Sequence, residues 1–139
     1  MASQFIHFPD EDFAILRWTG TFEMDACLKV FSAYLLQPAT TDIIDIRRLF
    51  FSTIKALDLF QLAQRLKATS LSGAYRPGKT AIVAGGDEAI SAPAVIRELC
   101  HFMAWAEANQ LPRELKLFRT MAAAHEWLGV LPIDERWTD

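Results

Sequence analysis

A chain of 139 residues, 52% hydrophobic and 22% charged, has the size and composition of one globular domain; this excludes a disordered chain and requires no disulfide or metal for folding. Its 14 Lys and Arg against 17 Asp and Glu give a formal net charge of −3, so no overall positive field draws nucleic acid or an acidic membrane. The start, MASQFIHFPDED, has no basic stretch ahead of an apolar core, and no run of about 18 apolar residues follows, the pattern of a cytoplasmic protein without an integral membrane segment.

In chain order, Gln4 to Phe8 is an apolar-rich run closed by the turn signal Pro9-Asp10-Glu11-Asp12, and Phe13 to Thr19 is a second extended run, which together predict an antiparallel hairpin. Thr21 is the predicted N-cap of a helix with Glu23 and Asp25 in its first turn. Met24, Cys27, Leu28, Phe31 and Leu35 fall at i, i+3, i+4, i+7 and i+11, and Gln37-Pro38 ends the pattern. Asp42 to Arg47 reads as an isoleucine-rich strand. From Thr53 the period is helical again, with Ala56, Leu59, Phe60, Ala63 and Leu66 on one face. Ser70 to Gly78 is loop by composition, and Lys79 to Ala84 reads as a buried strand ending in Gly85-Gly86. Ser91 caps and Pro93 opens a long helix running to about Asn109. Glu114 to Phe118 alternates as a strand, Thr120 caps a helix from Met121 to Leu128, and Gly129 stops it. Residues 131–139 form a tail without a clear period. The order β-β-α-β-α-β-α-β-α predicts a single α/β domain over residues 1–139: a mostly parallel five-stranded sheet with an antiparallel N-terminal edge, and four helices.

This order resembles the SpoIIAA-like branch of the STAS superfamily over nearly the whole chain. The residues that carry the resemblance are Phe13-Ala-Ile-Leu-Arg-Trp-Thr-Gly20 ahead of an acidic helix start, Ile43-Ile-Asp-Ile-Arg47, Thr80-Ala-Ile-Val83, and Leu117-Phe-Arg119 with Ala123-Ala124 and Trp127-Leu128. The resemblance implies a STAS-like, non-enzymatic bacterial module that acts through protein contacts. In the family's anti-sigma-factor antagonists, a serine in the loop after the strand matching Ile43 to Arg47 is phosphorylated by a partner kinase. Here that motif falls on Thr53-Ile54-Lys55-Ala56, which lacks the serine and has Ala56 in place of the glycine, so the layout is implied without the switch. The family layout is also similar to that of lipid-carrying domains, which implies an alternative: a hydrophobic cleft between helices that takes an acyl chain or another small apolar molecule.

Several residues are candidates for function. Asp45 and Arg47, two apart on a strand, share a face near its C-terminal end, where open α/β sheets bind ligands. With Arg48, Ser52, Thr53 and Lys55 they form a candidate switch loop or anion contact; the alternative is an ordinary helix cap and ion pair. Gly85-Gly86-Asp87-Glu88 lacks the spacing of a phosphate loop. Cys27 and Cys100 stand in no Cys-x-x-Cys pair, and His7, His101 and His125 are scattered, Glu98-x-x-His101 occurring once, so no metal, cofactor or redox role is expected. No nucleophile elbow or acid–base carboxylate pair is present, which leaves an uncharacterised enzyme as the second alternative. The third helix has an apolar arc wider than one domain's core needs. Phe102, Met103 and Trp105, with Trp137 in the tail, are therefore candidates for a homodimer interface or for contact with an unknown protein partner, unless the helix lies deep in its own core.

Overall fold

The side chains of strand β2 (Phe13–Thr21) alternate between two cores: Ala14, Leu16 and Trp18 enter one, Phe13 and Ile15 the other. A strand buried on both faces belongs inside a covered sheet. In the computed structural model, which describes residues 2–50, 53–71, 76–85, 93–108 and 113–130, that sheet has five strands in the order β1-β2-β3-β4-β5. β1 (Ala2–Phe8) runs antiparallel to β2 through a 3₁₀ turn at Pro9–Glu11. β3 (Thr41–Phe50), β4 (Gly78–Val83) and β5 (Arg113–Phe118) continue in parallel. The α/β class, the antiparallel first strand and, among the described residues, four helices thus agree with the reading of the sequence.

The helices are α1 (Met24–Leu36), α2 (Ala56–Leu71), α3 (Pro93–Ala108) and α4 (Met121–Leu128). The first three join consecutive parallel neighbours, so a constant crossover hand sets all three on one face. Accordingly Cys27 and Tyr34 of α1, Leu62 of α2, and Leu99 and Met103 of α3 share the core of Leu16 and Trp18. The last helix folds onto the opposite face, where Met121, Ala124 and Leu128 meet Phe13, Ile15 and Ile43.

Two helix starts differ from expectation. Thr21 ends β2 rather than capping α1, whose N-cap is Glu23 without a side-chain cap bond. Helix α2 begins at Ala56, not at the hydroxyls: Asp58 Oδ2 accepts from Lys55 N at 2.9 Å, the return half of a capping box. α4 starts and ends as read, with Thr120 Oγ1 accepting from Ala123 N at 3.2 Å and Gly129 at φ 73. β3 is longer than its isoleucine pattern because its register slips: Arg17 pairs with Asp45, but Thr19 pairs with Arg48. The extra residue shifts the alternation, so Ile46 and then Leu49 both enter the first core.

A buried polar cluster ties the N-terminal ends of the strands to the end of α1. Arg113 Nη1 donates to Thr40 O at 2.9 Å and Lys79 O at 3.3 Å, and Nη2 donates to Tyr34 Oη at 3.1 Å and to Ala39 O. Tyr34 Oη donates to Asp42 Oδ2 at 2.7 Å, and Arg113 Nη1 lies 3.5 Å from the same oxygen. Burial pushes the Asp42 carboxyl up, opposed by Arg113 and by bonds from Tyr34 and Thr80.

The expected surplus of α3 is partly core. Leu99 and Ala106 are buried, Met103 packs on the first core, and Trp105 is half-buried. The side chain of Phe102, together with Trp137, Ser91, Asn109, Gly86 to Glu88 and the tail, lies outside the described residues.

Candidate apolar cleft

Helix α1 leans over the β1 edge, whereas α2 packs against α3. Between them, above the middle of the sheet, is a partly open cavity of about 130 Å³. Its floor is Trp18, Ile44, Ile46 and Ile82 of three neighbouring strands, which the period of two aims at the same face. Leu28 and Phe31 of α1 and Leu62 and Arg65 of α2 form the sides, and Leu99 of α3 closes the back. The wall is apolar almost throughout. Thr80 lines it too, but its hydroxyl bonds to Asp42. Trp18 is buried, and its Nε1 finds no hydrogen-bond partner among the described residues. Cys27 also lines the cavity, and burial pushes its thiol from 9.0 up to about 12, so it stays a neutral small hydrophobe. Arg65 is the one charged side chain among the described lining residues, and it is exposed.

The residues singled out from sequence fall elsewhere. Asp45 is buried on the opposite side of the sheet, where Arg17 Nε donates to Oδ2 at 2.6 Å and Arg47 donates from Nε to Oδ1 and from Nη2 to Oδ2, both at 2.9 Å. Burial would raise this carboxyl, but the bonds and charge of Arg47, with Arg17, hold it below its ordinary value. The pairing of Asp45 with Arg47 follows from their i, i+2 spacing; Arg17 was missed because its place beside Asp45 depends on strand register, and only the opposite charges hinted at it. Arg48 and Lys55 are exposed. Thr53 Oγ1 donates to Phe50 O at 2.6 Å and accepts from Phe22 N at 2.9 Å, joining the loop before α1 to the loop before α2. Ser52 lies outside the described residues. Asp45 therefore makes its polar contacts with Arg17 and Arg47, while Thr53 makes its own with Phe22 and Phe50.

Gly85 has a structural reason: a Cβ there would meet the carbonyl oxygen of Arg119 at 2.0 Å. Among the described residues no group of three or more His, Cys, Asp and Glu is arranged to hold a metal ion, and no helix is long and apolar enough to cross a membrane. The His125 ring faces the Val130 carbonyl at 3.0 Å through Nδ1, which makes Nδ1–H the donor, and desolvation lowers its pKa.

Fold and site together define an α/β protein with a five-stranded mixed sheet and an apolar cleft on its three-helix face. Comparison with protein-family models, with curated proteins and with solved structures gave no match.

Proposed function

We propose that the protein is a non-enzymatic, STAS-like binding module that holds a small apolar ligand in the cleft between α1 and α2. The cavity is the observation that carries this reading. Protein interiors are packed as densely as organic crystals, and voids larger than a water molecule are few. At roughly 24 cal/mol per Å³, a cavity of about 130 Å³ left empty costs about 3 kcal/mol. A ligand that fills it recovers dispersion contacts. An engineered apolar cavity of comparable size, about 150 Å³, stays dry and binds benzene. The element order and the antiparallel first strand support the STAS-like part of the reading.

Titration with benzene and cyclohexane, followed by the rise in thermal midpoint, tests the proposal. Binding in the wild type and its loss in a folded Leu28→Trp variant, whose indole enters the cavity from α1, is the expected outcome. No stabilisation by either probe would end this reading.

A second reading, protein contact, is favoured by Leu57 and Phe60, which are 62% and 59% exposed and lie at i, i+3 on α2. A partner protein or a second copy of the chain would cover them. Light scattering on the wild type, Leu57→Glu/Phe60→Glu and Trp105→Glu, with circular dichroism as a folding control, tests self-association and separates the α2 pair from the α3 surface. A monomeric wild type would remove the homodimer.

A further inference from the structure

The cavity is lined by hydrocarbon, yet its mouth carries a cation. Arg65 lines the cavity and is exposed, and an arginine so placed lays its stem along apolar surface and keeps its guanidinium in water. The other arginines near polar groups are engaged: Arg17 and Arg47 with Asp45, Arg76 with Asp12, and Arg113 with Asp42. Arg65 forms no ion pair among the described residues. The acid nearest to it in the first turns of α2, Asp58, bonds to Lys55 N.

We propose, resting on the ligand reading above, that the ligand is a monocarboxylate. Its hydrocarbon end fills the cavity and its carboxylate lies at the mouth against Arg65. A charged head inside an apolar wall would lose its hydration without replacement, so the head must stay at the opening. There the planar guanidinium offers two parallel N–H donors that match a carboxylate. Among the described lining residues Arg65 is the one cation, and one cation balances a single negative charge, which favours a carboxylate over a doubly charged phosphate monoester. The cavity volume of about 130 Å³ limits the buried end to a body of roughly benzene size, about six carbons as a chain or ring.

Heptanoate and heptan-1-ol, alike in chain length and different in charge, are the probes, and calorimetric titration at low ionic strength is the readout. An exposed Arg–carboxylate pair contributes up to about 1 kcal/mol, or about fivefold. Replacing Arg65 by Gln should therefore reduce the ratio of heptanoate to heptanol affinity by about two- to fivefold, and Arg65→Lys should restore part of it. Added salt should shrink the wild-type ratio toward that of Arg65→Gln. Leu28→Trp should lose both probes. If both probes bind and the ratio is the same in Arg65→Gln, the carboxylate proposal is overturned and the apolar cavity stands. If neither binds, the cavity reading itself fails. Heptanoate bound equally well by Leu28→Trp would mean attachment to the surface alone and would also overturn the proposal.

Discussion

Replacing Arg113 by Met tests the polar cluster that fastens β3, β4 and β5 to the end of α1. Arg113 is 4% exposed and Asp42 2%. Methionine keeps much of the stem but removes the guanidinium, so the carbonyls of Ala39, Thr40 and Lys79 lose a donor and Asp42 loses the cation at 3.5 Å. Removing one partner of a buried pair costs about 3–5 kcal/mol. For a chain of this size that is a fall in thermal midpoint of roughly 10–20 °C. The pH dependence carries a sign. The folded Asp42 carboxyl already lies above its ordinary 3.8 because of burial, and without Arg113 it must rise further. An acid raised on folding adds stability that is fully present below its unfolded pKa and is lost as pH climbs through the folded value. The deficit of the variant should therefore shrink between pH 7 and pH 5, by at most about 1.4 kcal/mol per pH unit. Urea unfolding of wild type and variant at pH 7, 6 and 5 measures this. The double variant Asp42→Asn/Arg113→Met should regain part of the loss at pH 7 and flatten the pH response. A deficit under about 1 kcal/mol that does not change with pH would refute the argument.

Four further outcomes follow from particular contacts. Thr53→Ala should destabilise by about 1–2 kcal/mol in urea, since Phe22 N and Phe50 O both lose their partner, and Thr53→Ser should recover most of it; Asp58→Ala should cost about 1 kcal/mol through the start of α2. With Cys27 pushed up to about 12 and Cys100 exposed, a thiol reagent at pH 8 should label one cysteine per native chain and the second only on unfolding; rapid labelling of both would contradict the burial of Cys27. Gly85→Ala should lower the thermal midpoint sharply, by about 1–3 kcal/mol in stability, because its Cβ would strike backbone rather than a side chain that can turn aside.

What the sequence showed and what it hid divide along physical lines. The extended run of β2, the turn at Pro9 to Asp12 and the Thr120 and Gly129 ends of α4 depend on neighbours a few residues away, and they were legible. The partner of Asp45 was not, because Arg17 reaches it only when β2 and β3 are laid in parallel register, 28 residues apart along the chain. The same holds for Thr53: a hydroxyl before a helix looks like a cap, and only the approach of Phe22 from another loop, 31 residues away, gives it a different bond. The β3 bulge was hidden for a related reason, since a slip in pairing leaves no mark on the polarity of Ile46, Arg47 and Arg48 themselves.

The cleft is the extreme case. Trp18, Ile46, Leu62 and Leu99 are the residues that any packed core would use, and no spacing among them distinguishes a filled interior from a cavity. The difference is made by two packing choices, α1 leaning toward β1 and α2 toward α3. Arg65 is the exception that sequence could have offered. It stands exposed on α2 one turn after Gln61, as a solvated helix position would, and its meaning changes only when Leu62 near it is found to face a void. If the cleft were merely imperfect packing, filling it from the α1 side with Leu28→Trp would stabilise the chain and a charge at Arg65 would be indifferent to any probe. If it is a site, the same substitution removes a binding function, and the arginine decides between an acid and an alcohol of equal length.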